Sequence, residues 1–203
     1  MTDALAHIDW AARDLIDRVE AALVRYGAPD EHSIWSELRD VGAMPADVYE
    51  FLASWPPAHT SPTTTALELI RERLQYQHTT LTDAAVASGA GWQGPSAEAF
   101  HRRWHAYASG IAGGSGSLDQ RVEATAGYVN ALAEWARHWR TELAGTLLAC
   151  LTSAEAVALH DPDNSASAAA AATIGVRILR VGSGAIRAGE AIVADWGVEL
   201  SRA

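Results

Sequence analysis

Two histidines in the segment HRRWH, His101 and His105, stand at a spacing that suits metal chemistry. Residues four apart share one face of a helix, which is how a helix presents two imidazole ligands to zinc. No glutamate follows the first histidine as in the HExxH pattern of metalloproteases, and no third ligand stands at a fixed spacing. We therefore expect two solvated or cap-interacting histidines beside a packed Trp104, with no bound metal and no cofactor.

The other candidates for chemistry are one cysteine and a group of glycines. Cys150 lies in LLACL, an apolar helical context that predicts a buried structural thiol, because a nucleophilic thiol needs a nearby histidine or helix N-terminus. Gly182, Gly184 and Gly189 follow no strand and precede no lysine, so they predict close helix packing instead of a phosphate loop. A pair of Glu-x-x-His motifs, as a carboxylate metal centre in a helical bundle requires, is absent from the sequence. The chain is therefore predicted not to be an enzyme.

Charge and hydropathy narrow the classes of partner. The net charge is -10, and all 15 basic residues are arginines without a basic stripe, so nucleic acid and anionic membrane surfaces are unsuited as partners. Aspartates interrupt the first residues, where a secretory signal needs a basic start and an apolar run. Three arginines and a glutamate interrupt the apolar residues 168–196. The sequence predicts no signal peptide and no membrane span.

The elements that position these residues are helices, beginning with three before the first boundary. Apolar side chains recur at alternating spacings of four and three over residues 8–26, and Gly27 ends that helix. Ser33 is expected to cap the helix IWSELRDV, and Pro45 to open PADVYEFLASW. The segment PPAHTS at residues 56–61 marks the clearest boundary in the chain.

A long helix and a sharp bend follow this boundary. Ser61 is expected to cap the helix and Pro62 to occupy its first position, and the helix is predicted to end at about Ser88. Its apolar seam comprises Leu67, Ile70, Leu74 and Leu81. The bend carries Trp92-Gln93-Gly94, in which the glycine supplies backbone freedom and the tryptophan is expected to be buried, closing the open end between two helices.

The next helix is predicted to start at Pro95 and to continue, through a weak point, to about His160. The segment GGSGS at residues 113–117 leaves two alternatives open, a hinge between two helices or a weakened stretch of one long helix. We favour a kink or local break, and the apolar register persists across the segment. The later part carries a stripe of five apolar residues that needs covering by the terminal helices or by another chain: Val129, Leu132, Trp135, Trp139 and Leu143. This stripe is a possible interface.

The turn chemistry of DPDNS at residues 161–165 predicts a break, with Ser165 as the cap of a last helix. The predicted regions are an N-terminal helical region at 1–60, a hairpin with an extended second helix at 61–160 and a C-terminal helix packing on the bundle at 161–203. No strand-like alternation occurs anywhere. The sequence predicts an all-α fold, an elongated helical bundle built around an antiparallel hairpin with a W-x-G turn.

A helix of about this length, a W-x-G turn and a second helix opening with small residues and an aromatic resemble the WXG100 family of type VII secretion-associated proteins. The resemblance covers roughly residues 62–130, about a third of the chain. It implies an antiparallel hairpin that pairs with itself or with a related hairpin and performs no catalysis. It assigns Trp92 and Gly94 to the turn, and Phe100 and Trp104 to the first core positions of the second helix.

The chain departs from that family in length and in its export signal. The family's signal is a tyrosine with an acidic residue four positions later near the end of the second helix, whereas Tyr128 is followed at that spacing by Leu132. Tyr26 and Asp30 have the spacing, but Gly27 is expected to end the helix between them. The sequence favours a non-catalytic type VII secretion-associated substrate, targeting module or helical partner of an effector, leaving the cell without a signal peptide. The alternative is a cytoplasmic helical scaffold or regulatory adaptor.

Overall fold

The computed structural model describes residues 3–55, 61–160 and 165–202, apart from the side chains of residues 61 and 165. These residues form helices and no strand, which confirms the prediction of an all-α protein for this part of the chain. The helices are α1 (Ala4–Tyr26), α2 (Ile34–Val41), α3 (Pro45–Ala53), α4 (Ser61–Gly89), α5 (Pro95–Ile111), α6 (Leu118–Leu151), α7 (Ala154–Ala158) and α8 (Ser165–Arg202). Most of the predicted boundary at 56–61 and of the predicted break at 161–165 lies outside the described residues, as do the capping side chains of Ser61 and Ser165.

The chain divides into two compact units, each built from two separate stretches of sequence. Unit 1 comprises Met1–Pro57 and Glu134–Glu190, and unit 2 comprises Ala58–Ala133 and Ala191–Ala203. The sequence, in contrast, predicts three consecutive regions. The division differs because α6 and α8 are long enough to contribute residues to both units.

Unit 1 has a core of aliphatic side chains contributed by α1, α3, α6 and α8. The predicted stripe of α1 is confirmed at its centre, where Ala12, Leu15 and Val19 are buried, whereas Tyr26 at its end is exposed. Glycines of α8 allow close approach: a Cβ on Gly182 would overlap the side chain of Val48. The predicted role of these glycines in helix packing is confirmed at this position.

Local capping explains where the first helices begin. Asp3 accepts a hydrogen bond from the Leu5 amide at 3.2 Å at the start of α1, and Pro45 occupies the first position of α3 as expected. The expectation that Ser33 caps α2 is wrong, because its backbone is helical and its side chain makes no capping bond. His32 Nδ1 accepts from the Ile34 amide at 3.2 Å instead.

The helix after the bend is broken at GGSGS, which confirms the favoured prediction of a kink or local break. Gly113 and Gly116 have φ of 82° and 72°, a left-handed conformation that ends the helical path. Ser117 is buried, and its Oγ accepts from the Gln120 amide at 3.4 Å while Gln120 Oε1 accepts from the Gly116 amide at 2.9 Å. This reciprocal arrangement caps α6. Of the two alternatives, the structure therefore has two separate helices joined at GGSGS.

The predicted end of the later helix near His160 is wrong. Helix α6 ends at Leu151, and the short helix α7 begins at Ala154. Ser153 separates them, since its Oγ accepts from the Ala156 amide at 3.4 Å. The segment predicted as one extended second helix therefore contains three helices, α5, α6 and α7.

Helix α8 bears on the prediction of no membrane span. By length and composition its residues Ala166–Arg202 are apolar enough to cross a membrane, and no other helix in the described part of the chain is. However, 56% of that apolar window is buried inside the fold. One such helix is weak evidence for a span, because the core helix of a water-soluble protein passes the same test.

Candidate interaction surface

Helices α4 and α5 of unit 2 pack against each other in opposite directions. Gly89 at the end of α4 contacts His101 on α5. Leu81, which lies earlier on α4, contacts Trp104, which lies later on α5. The connection between the helices carries Trp92 and Gly94, and Gly94 has φ of 100°, where a side chain would be strained. Trp92 and Gly94 thus lie in the short connection between α4 and α5.

Trp92 does not fill the end of this helix pair, so the expectation of a buried tryptophan is wrong. Its side chain is 46% exposed and lies against Phe100, with 5.5 Å between ring centroids. No large side chain is needed to close this end, because α4 and α5 approach each other closely there. The ring of His101 occupies the position that a Cβ on Gly89 would take.

The four predicted hairpin-core residues line the contact between α4 and α5 but are only half-buried: Leu74, Leu81, Phe100 and Trp104. Phe100 and Trp104 pack with 5.4 Å between ring centroids. The indole nitrogen of Trp104 donates to the carbonyl of Leu81 at 2.8 Å. The most buried side chains at this contact are alanines, among them Ala85, Ala97 and Ala108. The contact between α4 and α5 therefore buries mainly small side chains and leaves apolar surface exposed to solvent.

An open groove of about 670 Å³ runs along this surface. It is lined by Ile70, Arg73, Leu74 and Gln77 of α4, Ala106, Tyr107, Gly110 and Ile111 of α5, and Leu118 of α6. Tyr107 is 72% exposed, and Ile70 and Leu118 are each about half-exposed. A continuous apolar groove of this kind is typical of a protein-binding surface. Ile70 belongs to the apolar seam that the sequence predicts for α4, whereas its side chain is 48% exposed in the structure.

The two histidines with metal-ligand spacing lie beside Trp104 on another side of the helix pair. His101 packs on Gly89, and His105 is exposed. Within residues 3–55, 61–160 and 165–202, three histidine, cysteine or carboxylate side chains do not come together as a metal site requires.

Cys150 is buried in unit 1, which confirms the prediction of a buried thiol. Burial raises the pKa of this thiol, although a hydrogen bond with Arg177 opposes the rise. A thiol with a raised pKa is less ionised at neutral pH and so a poorer nucleophile.

The possible interface residues of the later stripe lie mostly inside the molecule. Leu143 is fully buried and Trp135 is 9% exposed, and the indole nitrogen of Trp135 donates to the carbonyl of Ala185 at 2.9 Å. Trp139 packs against Gly184 of α8 so closely that a Cβ on that glycine would overlap its ring. Leu143 and Trp135 belong to the core of unit 1 and Trp139 is half-buried, so the chain's own helices cover much of this part of the stripe.

The first two residues of the stripe, Val129 and Leu132, belong to unit 2 and are half-buried. Close to them in sequence, the ring of Trp196 from α8 lies on Gly127 and packs beside Tyr128, with 6.5 Å between the two ring centroids. The end of α8 thus covers this region of α6. Ile70, Tyr107 and Leu118, which line the groove, are more exposed than the first two residues of the stripe.

A polar cluster holds α1 on α3 in unit 1. The Tyr49 hydroxyl donates to Asp9 Oδ1, and Arg13 Nε donates to Asp9 Oδ2 at 3.1 Å. The hydrogen bond from Tyr49, followed by that from Arg13, lowers the pKa of the Asp9 carboxyl. Burial, followed by the bond to Asp9, raises the pKa of the Tyr49 hydroxyl, which stays a donor at neutral pH.

Changing Tyr49 to Phe is expected to lower the free energy of unfolding at about pH 7 by about 1 kcal/mol, the value of a hydrogen bond to a carboxylate that solvent partly screens. The folded pKa of Asp9 lies below its unfolded value of 3.8, so this stabilisation is present above that value and is lost as the pH falls through the folded pKa. Urea unfolding of both proteins between about pH 7 and about pH 3 should show the difference shrinking.

The matched control for this measurement is Tyr76→Phe, because Tyr76 is exposed on α4. Its difference from the wild type should be small at every pH. A Tyr49→Phe difference that stayed constant with pH would contradict the assigned coupling between Tyr49 and Asp9.

Comparison with known proteins identifies no relative of this chain. No protein-family model matches the chain, and no curated protein and no solved structure is significantly similar to it.

Proposed function

We propose that the chain is a non-catalytic, type VII secretion-associated protein that acts by packing a partner's helix into the groove of unit 2. The observation that carries the proposal is the open apolar groove of about 670 Å³ beside a helix pair whose turn bears Trp92 and Gly94. The W-x-G position between two helices supports the likeness to the WXG100 family, and the half-exposed seam supports a docking role.

The contrast between the two units supports docking at unit 2. Unit 1 has a core of large aliphatic side chains, including Leu143, Leu147 and Ile178, which have no exposed surface. Unit 2 buries mainly alanines and leaves Ile70 and Tyr107 in contact with solvent along one groove. A helix pair with a half-exposed seam gains stability when a third or fourth helix covers it. The proposed partner is another helical-hairpin protein, an effector or a second copy.

One observation favours the alternative of a cytoplasmic helical scaffold or adaptor. Helix α1 ends at Tyr26, and Gly27 has φ of 70°, so Asp30 is not on the same helix as Tyr26. Tyr128 lies within α6, but Leu132 occupies the position where the family carries an acidic residue. An export signal of the family's kind is thus missing from both positions.

Fractionation of cultures of the encoding organism tests the proposal against this alternative. The chain is expected in the medium of the parent strain, and in the cells alone when the type VII secretion ATPase is deleted, with a cytoplasmic enzyme as the lysis control. Retention in the cells of both strains would overturn the secretion proposal and support the scaffold.

A further inference from the structure

We infer that the occupant of the groove is an acidic amphipathic helix of a partner protein, an inference that rests on the proposed function. The groove combines apolar lining with positive charge. Arg73 is the single charged residue among its lining residues. An acidic partner would bring carboxylates to this arginine while its apolar stripe fills the groove.

A second arginine extends this positive edge. Arg103 lies on α5 one turn before Tyr107, at a spacing that places both on the same face of the helix. Neither Arg73 nor Arg103 forms an ion pair with any residue that the structure describes. In a chain of net charge -10, this edge therefore carries two guanidinium groups without carboxylate partners.

The acidic residues of the same helices do not cancel this charge. At 100° per residue, Glu68 and Glu72 of α4 and Glu98 of α5 project from the sides of their helices opposite to the groove. Near Leu118, the carboxylates of Asp119 and Glu123 are paired with Arg71 at 3.3 and 3.0 Å. The groove thus presents positive charge to an incoming helix.

Small residues leave room for the backbone of that helix. A Cβ added to Gly110 would meet no atom within 4 Å, and Ala106 lies one turn before it on the same wall. Close approach of a helix is favoured where small residues line the contact. The groove therefore suits a helix that inserts aliphatic side chains between α4 and α5 and places acidic side chains over the arginines.

The charge pattern argues against a second copy as the occupant. A symmetric dimer through this groove would bring Arg73 and Arg103 of one copy towards the same residues of the other. The net charge of -10 on each copy adds further repulsion at low salt.

Two fluorescent helical peptides with the same leucine stripe, one flanked by glutamates and the other by lysines, test the inference by fluorescence anisotropy on the full chain. The glutamate peptide is expected to bind with a Kd on the order of tenfold lower than the lysine peptide, and the preference should shrink at about 1 M salt. The double variant Arg73→Gln, Arg103→Gln should lose most of the preference. Arg102→Gln is the matched control, because Arg102 faces Glu98 on the surface at 3.8 Å.

A Gly110→Leu variant reports on the position of the peptide. It should weaken binding of the glutamate peptide, and circular dichroism should show an unchanged helical signal because the site of the added side chain is open. Equal binding of both peptides would overturn the acidic partner while leaving helix docking intact. Binding of neither peptide, or a dimer by light scattering that Gly110→Leu dissociates, would overturn the inference. The secretion assay is independent of all these results.

Discussion

Replacing Arg140 by Ala is expected to lower the free energy of unfolding by about 3 to 5 kcal/mol, the loss found when one partner of a buried charge pair is removed. Arg140 is 5% exposed. Its Nη1 donates to the carbonyls of Leu52 and Ala53 at 2.7 and 2.8 Å, and its Nη2 donates to the carboxylate of Asp3. The Arg140 side chain of α6 thus donates hydrogen bonds to carbonyls at the C-terminal end of α3. It also binds Asp3, the residue that caps α1.

Urea unfolding followed by circular dichroism measures this loss. Arg137→Ala is the matched control, because Arg137 lies on the same helix with its side chain exposed, and it should cost less than about 0.5 kcal/mol. Arg140→Lys should show an intermediate loss of stability. An ammonium group keeps the charge but lacks the planar guanidinium that contacts both the end of α3 and Asp3. A loss below about 1 kcal/mol in Arg140→Ala would contradict the assigned role.

The second large effect is expected at Trp135, where substitution by Ala should cost about 3 to 5 kcal/mol. The ring lies edge-on to Phe51 and Trp55, with centroids 6.1 and 6.0 Å away, and its nitrogen bonds to Ala185 on α8. Its removal leaves a cavity among three helices that cannot all move inward. If Trp135 were an interface residue, as the sequence suggested, the isolated protein would lose little stability.

Thermal and urea unfolding of Trp135→Ala, compared with Trp10→Ala, separates these cases. Trp10 is 82% exposed, so its variant should lose less than about 0.5 kcal/mol. Trp135→Phe keeps part of the ring packing and should lose about 1 to 2 kcal/mol. Near-equal stability of the two alanine variants would show that Trp135 lies outside the core.

The sequence by itself determined the helical fold and most helix boundaries near the N-terminus. These follow from local chemistry: the apolar period of α1, the glycine at position 27 that turns left-handed, and the proline that opens α3. Burial of Cys150 was predictable for the same reason, because its neighbours in the helix are apolar. Each feature depends on residues within a few positions in the chain.

Other outcomes needed the tertiary structure, because they depend on residues far apart in sequence. A break at GGSGS was only favoured from glycine content, and the bonds of Ser117 and Gln120 show that it separates two helices. Arg140 stands in the segment HWRTEL, which resembles an exposed helix face, and its acceptors are more than eighty residues away, at 52 and 53 and at Asp3.

The groove of unit 2 and the core around Trp135 show the same difference between sequence and tertiary structure. The sequence determined that a long apolar stripe existed and required covering, but the coverage depends on which helices are near it. Helix α8 and α3 cover Trp135, while the contact of α4 with α5 is too thin to cover Ile70 and Tyr107. Periodicity reports which side chains share a helix face, whereas burial depends on the partner helix that the complete chain places against that face.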